Sequence, residues 1–198
     1  MPEIESLSRQ QAVQLARDVV ASQPVYIDTE TTGLEKTDEV VEISVIDWDG
    51  SVLISSLVKP VQPIPPAASR IHGISNEMVH NCQLWPLLWP QVRPMLAGRV
   101  IAGYNIDFDL RMMQQSHARY RLPWREVFST VDVLKIYSKY RSEGFTSTRT
   151  MRFYRLEEAG RALGIPLPNA HRSTADALLT RAVLHAIAGL PYQENGRA

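Results

Sequence analysis

From Ser8 to Ala21, apolar residues fall at Ala12, Val13, Leu15, Ala16, Val19 and Val20. That spacing keeps them on one stripe of a helix and predicts an N-terminal helix packed on the rest of the chain, closed by Gln23 and Pro24. The rhythm then becomes that of strands. Val25-Tyr26-Ile27 opens one that runs into Asp28 and Glu30, and Val40 to Trp48 is a second, rich in β-branched residues. Asp49-Gly50 is a tight-turn signal, so Ser51 to Val58 reads as the returning strand of a hairpin. Pro60 to Pro66 reads as a loop.

Beyond it, short apolar runs alternate with helical stripes. Val100 to Tyr104 and Phe128 to Val133 read as strands, and Phe108 to Gln115, Leu156 to Leu163 and Ser173 to Ala188 as helices. An antiparallel hairpin followed by alternating elements predicts an α/β fold: a mixed five-stranded sheet with helices on its faces. Leu84 to Leu96 has helical apolar spacing, yet Pro86, Pro90 and Pro94 lie within it, and only the first suits a helical first turn. The pattern divides the 198 residues into an N-terminal helix over 1–23, one main domain over 24–190 and a short tail over 191–198.

Composition excludes several classes. With 44% hydrophobic and 21% charged residues, the chain is a globule and not a disordered segment. No run approaches the ~20 apolar residues of a membrane span, and the first residues lack a secretory pattern, so a cytoplasmic protein without membrane contact is expected. Cys82 stands alone, which rules out an intramolecular disulfide or a cysteine-cluster zinc site. The formal net charge is zero, but residues 1–98 carry 12 acidic and 6 basic side chains and residues 99–198 carry 9 and 15. The second half therefore leans toward polyanions, although charge halves of this size also arise on solvated faces.

The chemistry begins at Asp28-Thr29-Glu30. Side chains alternate along a strand, so Asp28 and Glu30 face the same way. Two readings fit such a pair: a solvated strand end, or a pair of ligands for a divalent cation that removes their repulsion, Mg²⁺ and Mn²⁺ being the cations that prefer carboxylate oxygens.

Asp28-Thr29-Glu30-Thr31-Thr32-Gly33 after an apolar strand resembles the first motif of the DnaQ-like 3′→5′ exonucleases of the DEDD superfamily. Tyr104-Asn105-Ile106-Asp107-Phe108-Asp109 is similar to the second, with tyrosine where many members have histidine. His171-Arg172-Ser173-Thr174-Ala175-Asp176 resembles the third. Arg172 stands where the other subclass has tyrosine, so the resemblance is to the histidine subclass, DEDDh. Arg70-Ile71-His72-Gly73-Ile74 and Tyr154 to Ala159 are similar to further segments of that family.

The resemblance implies a ribonuclease H-like sheet and release of nucleoside 5′-monophosphates from 3′ ends of DNA, single-stranded or frayed. An exoribonuclease, a short-oligonucleotide trimmer and a polymerase-associated proofreading subunit share the motifs. It implies two divalent cations, Mg²⁺ or Mn²⁺, held by Asp28, Glu30, Asp109 and Asp176, with His171 as general base; imidazole ordinarily titrates at about 6.5, suited to taking a proton near neutrality. Thr31, Gly33 and Leu34 would seat the terminal nucleotide, Gly33 by allowing a tight turn and Leu34 by wedging against the last base. His72 reads equally as loop scaffold or substrate contact, and Asn105 more as a brace than a contact.

Lys135 to Arg161 interleaves Lys135, Lys139, Arg141, Arg149, Arg152, Arg155 and Arg161 with Tyr137, Tyr140, Phe145, Phe153 and Tyr154. Cations that track phosphates and rings that stack on bases would make it a grip for nucleic acid, with Arg149 and Arg152 at its centre. A solvated insertion fits the same residues equally well.

Overall fold

The computed structural model describes residues 2–141, 153–167 and 171–192. Its sheet has the order β3-β2-β1-β4-β5. β1 (Val25–Thr31), β2 (Val40–Ile46) and β3 (Val52–Leu57) form an antiparallel meander, while β4 (Val100–Gly103) and β5 (Ser129–Asp132) run parallel to β1. This is the mixed five-stranded sheet expected from the pattern.

Both faces of the sheet are covered, which is why every residue of β2 is buried. On one face Tyr26 and Ile46 pack under α1 (Pro2–Ala21), α6 (Val133–Arg141), α7 (Leu156–Ala162) and α8 (Ser173–Ala188). On the other, Val25, Ile27, Ile43 and Val45 meet α4 (Trp85–Leu96) and α5 (Ile106–Arg119). A smaller cluster beside Val41 holds the short α2 (Pro66–His72) and α3 (Asn76–Val79). No described helix is long and apolar enough to cross a membrane.

The proline-studded segment is a helix. Trp85, Leu88, Trp89, Val92 and Leu96 form its buried stripe, whereas Pro90 and Pro94 lie four residues apart on the exposed side. Each interior proline leaves the carbonyl four residues before it without a donor, and on that side water can take its place. Burial of two tryptophans, stacked with centroids 5.6 Å apart, offsets the loss. α6, unassigned from the sequence, follows β5 directly, and its stripe of Val133, Leu134, Ile136 and Tyr137 faces the core.

Candidate active site

β1 carries the first two carboxylates toward the α8 face. In its register with β2, Asp28 lies opposite Ser44 and Glu30 opposite Glu42. Opposed residues of an antiparallel pair share a face, so Asp28, Glu30, Glu42 and Ser44 project together on the α8 side of the sheet. The first turn of α8 lies over them and brings Asp176 into place. One oxygen each of Asp28, Glu30 and Asp176 lies within 4.8 Å of the others.

Thr29 alternates to the opposite face, where its Oγ1 donates to Asp109 Oδ1 at 2.7 Å. Asp109 belongs to the first turn of α5, which starts just after β4, the strand parallel to β1. Two helix N-termini thus meet the C-terminal end of β1, one from each face. Asp109 is buried but stands outside the three-carboxylate cluster.

Charge crowding shows in the protonation of these groups. Burial, and then Asp109, Asp176, Glu30 and Glu42, hold Asp28 well above the usual carboxylate range. Burial and the charges of Asp176, Glu42 and Asp109 push Glu30 up to about 8. Burial raises Asp109 to about 7 against the opposing hydrogen bonds from Thr29, and raises Asp176 to about 6 against the attraction of His171. Such a cluster favours either protons or a cation. The donor set is all carboxylate oxygen, and ligands on opposite sides of one octahedral ion with bonds of ~2.1 Å lie ~4.2 Å apart, inside the 4.8 Å limit that encloses these oxygens.

Sequence reasoning missed Glu42. Its carboxylate accepts Arg172 Nε at 3.0 and 3.1 Å, Arg172 Nη2, and the Ser173 N–H at 2.9 Å. Burial alone would raise Glu42, but these partners outweigh it and leave its pKa lowered. Beside it, Ser44 Oγ shares hydrogen bonds of 2.7 Å with Ser173 Oγ and Thr174 Oγ1. Asp132 was missed as well. Its Oδ1 accepts the N–H groups of Asn105 and Leu134, each at 3.0 Å, which ties the left-handed Asn105 (φ 66°) at the start of α5 to the start of α6. An aspartate opening a helix was the available signal for Asp132; Glu42 offered none without its partner.

His171 also has a left-handed backbone, φ 64°. Its half-exposed ring lies 3.6 Å from Glu157 through Nε2, next to Asp176 and outside the carboxylate cluster.

Thr31 Oγ1 donates to the Gly33 carbonyl at 2.8 Å. Gly33 is required for space, not for a turn with positive φ: a Cβ there would sit 2.5 Å from Asp38 Oδ2, whose carboxylate is held by Thr32 Oγ1 and the Glu35 N–H, each at 2.7 Å. Leu34 is 75% exposed. His72 is buried and accepts the Ile74 N–H at Nδ1. Burial, opposed by the Thr31 backbone and Glu42, lowers its pKa.

Arg149 and Arg152 lie outside the described residues. The rest of the basic stretch divides. Tyr137 is a core residue packed edge-on against Tyr154 at 5.3 Å, so it offers no face to a base. Tyr140 is occupied by Arg9, whose guanidinium lies 4.3 Å from the ring centroid. Phe153 is 62% exposed.

Fold and carboxylate cluster together define an α/β protein with an acidic cluster suited to hard cations. A model of the RNase T exonuclease family matches residues 25–184. The uncharacterized exonuclease CP81 of Escherichia phage 186 is 32% identical over 182 residues, which cover 88% of this chain and 93% of the phage protein. The 3′-5′ exonuclease DinG of Bacillus subtilis strain 168 is 31% identical over 179 residues, which cover 85% of this chain and 18% of DinG. Among solved structures, Exonuclease X in complex with 5′ overhanging duplex DNA aligns with a TM-score of 0.60 at 24% identity, over 85% of this chain and 94% of that one. The nuclease domain of 3′hExo, a DEDDh family member bound to rAMP, aligns with a TM-score of 0.68 at 15% identity, over 89% and 98%. The chain belongs to the RNase T exonuclease family. It is an enzyme of that class acting on nucleic acid.

Proposed function

We propose that this enzyme hydrolyses the 3′-terminal phosphodiester of DNA at single-stranded or frayed ends and releases nucleoside 5′-monophosphates. The supporting observation is the meeting of Asp28, Glu30 and Asp176 within 4.8 Å, where each is driven toward neutralisation. These three would hold one divalent cation, and Asp28 with Asp109 a second; Mg²⁺ and Mn²⁺ suit the all-oxygen donors. Two such ions, held there, would polarise water, neutralise charge on the phosphate and stabilise the leaving 3′ oxygen.

The chain's own residues supply the rest. Thr29 orients the Asp109 carboxylate through Oδ1. His171 takes the proton of the attacking water at its imidazole, after turning from Glu157 toward Asp176. Leu34 wedges against the last base, Thr31 and Gly33 bring the backbone beside its sugar, and His72 and Asn105 brace that floor. Arg149 and Arg152 are proposed contacts to the strand behind it.

A second reading, a proofreading module working with a polymerase, is supported by the DNA polymerase III PolC-type of Thermotoga maritima, 29% identical over 165 residues that make up 11% of that protein. Degradation of end-labelled DNA and RNA strands with Mg²⁺, Mn²⁺ or chelator, repeated with Asp28→Ala, tests the assignment. Loss of mononucleotide from the 3′ end of DNA with metal alone, abolished by the substitution, is expected; preferential attack on RNA would reassign the substrate. Co-purification with a polymerase would favour the second reading.

A further inference from the structure

Glu30 and Glu42 are opposed across β1 and β2, and like charges in that relation repel. They meet different fates. Glu30 lies in the cluster with Asp28 and Asp176, whereas Glu42, with 3% of its side chain exposed, is filled by Arg172 and the Ser173 N–H. The Arg172 guanidinium is fixed on Glu42 by two of its nitrogens, and its charge is also felt by Glu30. A planar fork of donors makes this pairing directional, in a way that one ammonium cannot reproduce. Arg172 also sits between His171 and the turn that carries Asp176.

We propose that Arg172 sorts the two opposed carboxylates, committing Glu42 to hold the start of α8 and leaving Glu30 to the cation. Arg172 and Glu42 are then positioning residues for Asp176 and His171, an inference that rests on the metal-binding reading of the cluster. The damage done by removing Arg172 comes chiefly from the carboxylate it leaves behind. Glu42, buried and without its counter-charge, turns to the cation instead, while α8 loses its tether. If Arg172 were only a packing element, deleting Glu42 as well would make matters worse.

The test is a double-mutant cycle of the whole chain: wild type, Arg172→Met, Glu42→Gln and both together, with Arg172→Lys as a milder variant. Free Mn²⁺ is followed by its electron paramagnetic resonance signal, and turnover is measured in parallel. Arg172→Met is expected to bind Mn²⁺ as tightly as wild type or several-fold more tightly, through the extra carboxylate, while turnover falls about 100-fold. The double variant returns Mn²⁺ affinity to the wild-type value and regains at least about tenfold in turnover over Arg172→Met, a coupling well beyond additivity. Arg172→Lys keeps Mn²⁺ affinity and loses turnover to a smaller degree.

Parallel loss of Mn²⁺ binding and turnover in Arg172→Met, or a double variant no better than Arg172→Met, overturns the inference. Failure of the wild type itself to bind Mn²⁺ would instead overturn the metal-binding reading.

Discussion

Thr29 holds Asp109 from the face of β1 opposite to Asp28 and Glu30, hydroxyl to carboxylate at 2.7 Å. That bond opposes the burial that raises Asp109 to about 7. Thr29→Val removes the donor, so the carboxyl holds its proton to higher pH. Turnover at pH 7 should fall about tenfold, with the acid limb of the kcat/KM profile moved upward and activity recovered in alkali. A lower profile with an unmoved acid limb would mean that Thr29 does not act through Asp109.

Glu30 links the cluster to the stability of the metal-free fold. Its folded pKa of about 8 lies above the ordinary 4.5. The folded chain therefore keeps a proton that the unfolded chain gives up, and stability present below pH 4.5 is lost as the pH rises toward 8. Glu30→Gln should match wild type in acid and exceed it by on the order of 1–3 kcal/mol at pH 8, after allowance for solvent screening. Urea unfolding in chelator across this range measures the difference; a constant offset would contradict the assignment. Mn²⁺ should reverse the order by binding only the wild-type fold well.

Gly33→Ala places a methyl group against the Asp38 carboxylate, which must leave Thr32 or Glu35. Stability should drop by about 1–3 kcal/mol, and KM should rise more than kcat falls, because this backbone is proposed to seat the substrate. A loss confined to kcat would remove Gly33 from the binding floor.

Removing the imidazole separates binding from chemistry. His171 lies outside the carboxylate cluster, so His171→Ala should bind Mn²⁺ as wild type does, by calorimetry, while losing about 100-fold or more in turnover. Unchanged turnover would exclude it as the general base.

The parts of this structure that were legible in the sequence are those set by local periodicity. Alternation along β1 puts Asp28 and Glu30 on one side, and the stripe of α8 fixes where Asp176 begins its turn. What stayed hidden depends on partners distant in sequence. Glu42 reads, like Ser44, as a polar residue in a mostly apolar strand until Arg172, 130 residues later, folds onto it. Asp132 likewise acquires its role from Asn105. α4 defied its prolines because tertiary burial of Trp85 and Trp89 outweighed two missing hydrogen bonds that water can replace. α6 was obscured by the cations on its outer side, although Val133, Leu134, Ile136 and Tyr137 already had helical spacing.

Anomalous diffraction from a crystal of the wild-type chain grown with Mn²⁺ bears most directly on the carboxylate cluster. A strong peak bonded to Asp28, Glu30 and Asp176, with a second shared by Asp28 and Asp109, is the expected result. Manganese bound elsewhere on the surface while those four side chains stay metal-free would contradict it.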